Sequence, residues 1–147
     1  MDEPIQAPHP IVGTWRLISF TETNLDTGTV RHPFGRGAKA FVIYTGNGFT
    51  ATIFTAEGRS LPAAPQASDA EAAALYRSMI AFCGRYEVIG NSLIYHPELS
   101  WNEAWNGSTQ ERTIEIDGDR LETDSLPSVS ALTGARTVFS LVWERAR

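Results

Sequence analysis

The sequence predicts an all-β fold, an eight-stranded antiparallel up-and-down barrel with one helix inserted between the third and fourth strands. Three observations predict it: β-prone runs of ordinary strand length, tight Gly, Asn and Asp turns between them, and a single stretch that switches to helical spacing. No repeat, low-complexity tract or charge block divides the chain, so residues 1–10 read as a tail and 11–147 as one domain.

The run 12–23 opens the barrel and 136–144 closes it, both rich in β-branched and aromatic residues. Between them Gly46-Asn47-Gly48 joins 40–44 to 49–54, Gly90-Asn91 joins 84–88 to 93–96, and Asp117-Gly118 joins 112–116 to 120–123. Asn-Gly and Asp-Gly pairs mark hairpins because such turns need positive φ at their centre. Eight strands in this order close without exposed edges and leave a lumen wide enough for side chains or one small ligand. A sandwich would need Greek-key crossovers, for which these short connections leave little room.

One stretch departs from the strand pattern. After Pro62 and Pro65, Ser68-Asp69-Ala70-Glu71 forms a capping box, and Ala72, Leu75, Tyr76, Met79 and Ile80 recur at helical spacing. The expectation is a helix of about three turns across one barrel mouth, its apolar stripe packed on the barrel.

Composition narrows the function classes. A net charge of −5, a single lysine (Lys39) and scattered arginines argue against a nucleic-acid partner, which needs clustered cations to neutralise phosphates. No apolar run approaches the ~20 residues of a membrane-spanning helix, and Met1-Asp2-Glu3-Pro4 lacks the basic start and apolar stretch of a secretory leader. A cytoplasmic protein without a membrane partner is expected. The one cysteine, Cys83, admits no internal disulfide and reads as a small buried thiol. His9, His32 and His96 do not have metal-site spacing, and no phosphate loop or catalytic triad is found, so neither metal nor cofactor is expected.

Strand alternation sorts the side chains into inner and outer sets. With Glu111 and Glu115 facing water, Ile116, Ile114 and Arg112 turn inward. An inward guanidinium cannot shed its charge, so Arg112 either anchors an anionic ligand group or sits near the mouth in a structural ion pair. A two-residue turn at Gly90-Asn91 places Gly84, Tyr86 and Val88 inside, sets Tyr86 opposite Tyr95 and directs His96 outward. A bulge at Pro97 would shift the strand's parity there and leaves an inward His96 open. On the first hairpin Ala40, Val42 and Tyr44 are expected to share a face with Phe49, Ala51 and Ile53, the two alanines pointing to interior space. Trp101 and Trp105, four apart in a polar loop, either rim the mouth and stack on a flat ligand or fold back as a loop staple.

Several segments carry a family resemblance. Val12-Gly13-Thr14-Trp15 resembles the Gly-x-Trp opening of lipocalins and fatty-acid-binding proteins. His32-Pro33-Phe34-Gly35, Phe82-Cys83-Gly84-Arg85-Tyr86-Glu87-Val88, Trp101-Asn102-Glu103-Ala104-Trp105 and Leu141-Val142-Trp143-Glu144-Arg145 come after it in order. Together they are similar to the short bacterial and fungal lipocalin-like domain proteins, over nearly the whole chain. The resemblance implies a barrel plugged at one end by the first-strand tryptophan and covered by a last-strand arginine, here Arg145 over Trp15. It implies no single chemistry, because related small barrels include carriers as well as cofactor-free cyclases and isomerases. Where relatives commonly show paired histidines followed by Val-Glu, this chain reads Tyr95-His96-Pro97-Glu98.

The leading expectation is therefore binding of a small, mainly apolar molecule, aromatic or carboxylated ligands included, by Tyr44, Tyr86, Tyr95, Trp101, Trp105 and Arg112. The rival is a cofactor-free isomerase, cyclase or lyase acting on a secondary-metabolism or aromatic-catabolism substrate, with Arg112, Tyr95 and His96 (or Glu98) as its catalytic groups. A third reading fills the lumen with side chains. A homodimer through the outer sheet or the helix is compatible with all three.

Overall fold

A computed structural model of the protein describes residues 9–129 and 134–147; residues 1–8 of the expected tail lie outside this range. The β-prone runs become strands β1 (Gly13–Asn24), β2 (Val30–Arg31), β3 (Lys39–Tyr44), β4 (Phe49–Thr55), β5 (Met79–Ile89), β6 (Ser92–Ser100), β7 (Gln110–Asp117), β8 (Arg120–Ser125), β9 (Ser128–Val129) and β10 (Arg136–Arg145). The eight long strands pair antiparallel with their neighbours, and β1 meets β10 from Trp15↔Arg145 to Asn24↔Thr137, which closes the barrel. The two-residue strands extend its rim, β2 on β1 and β9 on β10. Because β2 adds one to the count, helix α1 (Asp69–Arg77) falls between β4 and β5 rather than between the third and fourth strands.

Helix α1 starts where the capping box predicts. The Ser68 hydroxyl accepts from the Glu71 amide at 3.2 Å, and the Glu71 carboxylate accepts from the Ser68 amide at 2.8 Å. It ends earlier than the apolar spacing suggests, since the Ser78 amide closes on the Leu75 carbonyl and Met79 already pairs with Thr55. Met79 and Ile80 thus belong to β5, and no residue of the helix is buried. The expected packed stripe is replaced by polar ties, with Arg59 donating to the Leu75 carbonyl and the Ser78 hydroxyl at 3.0 Å each.

The interior is lined by alternate residues, as a pleated strand dictates. Trp15 and Leu17 face inward on β1, a bulge between Leu17 and Ser19 shifts the parity, and Phe20 and Glu22 face inward beyond it. On β3 and β4 the inward sets are Ala40, Val42, Tyr44 and Thr50, Thr52, Phe54. This corrects the expected facing of Phe49, Ala51 and Ile53, which lie on the outer surface. The cause is the turn: Thr45 pairs with Phe49 across a three-residue loop, 46–48, closed by Gly48 at φ 91°. An odd loop shifts every later side chain of the strand to the other face.

One barrel end is sealed by the arrangement the resemblance implies. The Trp15 indole N–H donates to the Ile11 carbonyl at 2.8 Å, and the Arg145 guanidinium lies 4.2 Å above the Trp15 ring. Arg145 also donates to the Val12 and Pro10 carbonyls at 3.1 and 2.9 Å and pairs with Asp119 at 3.3 Å. Gly13 permits this approach: a Cβ there would stand 2.8 Å from the guanidinium, on a backbone at φ 136°. Helix α1 and the β6–β7 connection lie at the opposite end, as the up-and-down strand order requires.

Candidate ligand-binding site in the barrel interior

The β5–β6 turn is a two-residue one with Ile89 opposite Ser92, so the register sets Tyr86 against Tyr95, as expected. Leu93, Tyr95 and Pro97 point inward from β6 and Arg112, Ile114 and Ile116 from β7, where Arg112 stands opposite Leu93. Tyr44 reaches across from β3, and its hydroxyl is hydrogen-bonded to that of Tyr95. The Tyr86 ring meets Tyr44 edge-on at 5.1 Å, and its hydroxyl donates to the Thr45 carbonyl at 2.7 Å. Four of the six residues expected to bind a ligand are thus gathered in the interior.

The two tryptophans join the same aromatic chain through Phe82, a residue that sequence reasoning did not single out. Phe82 packs on Tyr95 at 5.2 Å and on Trp105 at 5.7 Å; Trp105 meets Trp101 at 4.8 Å, and Trp101 meets Tyr76 of α1 at 6.2 Å. Trp105 closes a short 3-10 turn, Glu103–Trp105, capped by Asn102. Both indoles keep partial exposure, so they line the helix-bearing mouth and also fasten its loop.

Arg112 is the unusual group. Its guanidinium donates to the Glu111 carbonyl at 3.0 Å and to Gln110 Oε1 at 3.1 Å, both uncharged local acceptors. Among the described residues no carboxylate pairs with it, so the ion-pair alternative is not what the structure contains. Burial pulls its pKa below the ordinary guanidinium value, opposed by the nearby Tyr95 and Tyr44 phenols; the group remains a cation at neutral pH. Burial raises both of those phenols, Tyr44 most strongly because Tyr95 also presses on it, and raises Tyr86 as well. The interior therefore presents neutral hydroxyls beside a fixed positive charge.

His96 is not part of this group. It faces outward, and its Nε2 lies 3.0 Å from Glu87 Oε2 on the exposed surface. A register shift does occur beside Pro97, with Gly84 opposite Pro97 and Cys83 opposite Leu99, but it comes after His96 and so leaves the histidine outside. Glu98 is exposed. Cys83 is half-buried on the outer sheet face opposite Ala51, not a core thiol.

Two interior groups escaped the sequence reading. Thr50 Oγ1 and Trp143 Nε1 are enclosed and lack hydrogen-bond partners among the described residues, in residues only 3% exposed. Thr50 is recovered once the 46–48 loop is counted as three residues, and Trp143 follows from its parity with Phe139 and Leu141 on β10. Two hollows lie outside the lumen. One, of about 410 Å³, is bounded by α1 and the segment after β4; the other, of about 420 Å³, lies on the outer face of β3 and β4.

No match was found among curated proteins. The model of the lipocalin-like domain family matches residues 12–146, from the residue before Gly13 to the one after Arg145. It thus spans the closed barrel, the tryptophan plug and the aromatic interior alike, and the chain belongs to the lipocalin-like domain family.

Proposed function

We propose that the barrel interior binds one small, mainly apolar molecule carrying an anionic group, an aromatic carboxylate being the class that fits best. Arg112 carries this reading. A half-buried guanidinium whose acceptors among the described residues are local and uncharged is a costly group for a fold to keep, and an anionic ligand oxygen would supply the missing charge-assisted hydrogen bonds. Tyr44, Tyr86, Tyr95 and Phe82 give the apolar body of such a ligand edges and faces to pack against. The Tyr44–Tyr95 hydroxyl pair offers a neutral polar contact beside the cation.

The test uses anilinonaphthalene sulfonate as the anionic probe and phenylnaphthylamine as its uncharged analogue. Arg112→Leu should weaken the sulfonate by about 1.5–3 kcal/mol in calorimetry, the worth of a charge-assisted hydrogen bond, and leave the neutral analogue nearly unchanged. Equal affinity of the sulfonate for wild type and a folded Arg112→Leu variant contradicts the role.

A catalytic version of the site lacks both of its expected proton carriers in the interior. With His96 and Glu98 outside the barrel, proton movement would fall to Tyr95 and Tyr44, and oxyanion stabilisation to Arg112. Both phenols are held protonated by burial, which suits a hydrogen-bond donor and not a general base. Binding is therefore the reading the geometry favours.

A further inference from the structure

The outer wall of the barrel is not uniform. On β7 and β8 it is acidic, with Glu111, Glu115, Asp117, Glu122 and Asp124 facing water. On β3 and β4 it is apolar: Phe41, Ile43, Phe49 and Ile53 are 48, 44, 37 and 60% exposed and surround Ala51, with Cys83 of β5 and the 68% exposed Leu99 of β6 continuing the patch. Neither α1 nor any other described element covers it.

We propose that this face is a twofold interface with a second copy of the chain. Its scale fits. Four strands spaced about 4.8 Å apart, over some five residues each, give an apolar field on the order of 300 Å², within the range of the largest patches on monomeric proteins, which are often functional. A stable dimer buries roughly 800 Å² per partner, so the contact takes in the polar margin as well as the apolar centre. Its composition fits as well. Aromatic and aliphatic side chains at the centre, with arginines at the edge, match interface anatomy, and here Arg16 lies 5.1 Å from the Phe41 ring and Arg85 5.0 Å from the Phe49 ring.

The face is also self-complementary. The margin carries both signs, Arg16 beside Glu144 on one side and Arg85 with Glu87 and Glu98 on the other. It holds a projecting side chain, Leu99, and the hollow of about 420 Å³ over Phe41, Ile43, Ala51 and Ile53. A projection and a hollow on one surface are what a twofold contact needs, since each copy then fills the other. A partner of uniform charge would leave one half of this margin unmatched.

Sedimentation velocity of the full chain across micromolar concentrations tests the proposal, with Ile53→Glu as the disrupting variant, Leu99→Ser as a milder one and Glu115→Gln on the acidic wall as control. Far-UV circular dichroism should be unchanged in all three, because every substituted side chain faces outward. The expected result is a wild-type dimer, a dimer dissociation constant raised at least about a hundredfold by Ile53→Glu, which buries an unpaired charge on each side, and no change for the control. A wild-type monomer throughout overturns the proposal. So does a dimer indifferent to both Ile53→Glu and Leu99→Ser. A monomer that instead floats with phosphatidylglycerol vesicles through Arg16, Lys39 and Arg85 reassigns the face to a lipid surface and overturns it equally.

Discussion

Arg145 and Arg112 make an informative pair, because both are guanidinium groups set among aromatic rings of one barrel and they are satisfied differently. Arg145 covers Trp15, donates to two backbone carbonyls and meets Asp119, all at the sealed end. Arg112 lies among Tyr44, Tyr95 and Gln110 with no carboxylate among the described residues. The first has partners that account for its charge within the fold; the second does not. That difference separates an arginine that builds a barrel from one held ready for something else, and it appears in their partners and not in their exposure alone.

Substitutions at the two positions should therefore diverge. The largest effect belongs to the plug: Trp15→Ala removes a fully buried indole and should cost about 3–5 kcal/mol in chemical denaturation. Arg145→Leu strips the cover and its carbonyl contacts and should cost about 1–2 kcal/mol, less than a buried pair because Arg145 and Asp119 are partly in solvent. Arg112→Leu should change stability by less than about 1 kcal/mol, or increase it, since an apolar side chain of similar bulk relieves the partly desolvated charge. A loss for Arg112→Leu as large as that for Arg145→Leu would erase the distinction.

A smaller effect sharpens the same contrast from the tyrosine side. Tyr44 and Tyr95 have folded-state pKa values above the unfolded phenol value of about 10. The unfolded chain then releases these protons first as pH rises, so the stability they contribute is intact below about pH 10 and declines as pH climbs towards their folded values. In alkaline denaturation series, a folded Tyr44→Phe/Tyr95→Phe double variant should show a shallower decline than wild type. Parallel curves would mean that the pair titrates as ordinary phenols.

Legibility of the fold in the chain varies with the turn. At Gly90-Asn91 a two-residue turn is the natural reading, and the inward faces of β5, β6 and β7 come from it, Arg112 included. At Gly46-Asn47-Gly48 the same residues admit a loop of two or three, and parity depends on which forms. The shorter loop turns β4 inside out, hides Thr50 and disguises the apolar outer face of Phe49, Ala51 and Ile53 as cavity lining. The β1 bulge, between Leu17 and Ser19, has no Gly or Pro to announce it. Helical spacing alone overextends α1, because Met79 and Ile80 fit a helical stripe as well as the strand pairing that claims them. The plug is legible through Gly13 and Trp15, while Arg112's lack of a carboxylate depends on what surrounds it in space and no local pattern records it.

The central claim is that Arg112 is held for an anionic ligand in the barrel interior. A crystal structure of the complex with anilinonaphthalene sulfonate tests it most directly. The expected result is sulfonate oxygens within about 3 Å of the Arg112 guanidinium and the naphthalene ring against Tyr95 and Phe82. A sulfonate seated instead in the hollow beside α1 or on the outer face of β3 and β4, with the Arg112 guanidinium unchanged in its contacts, would contradict it.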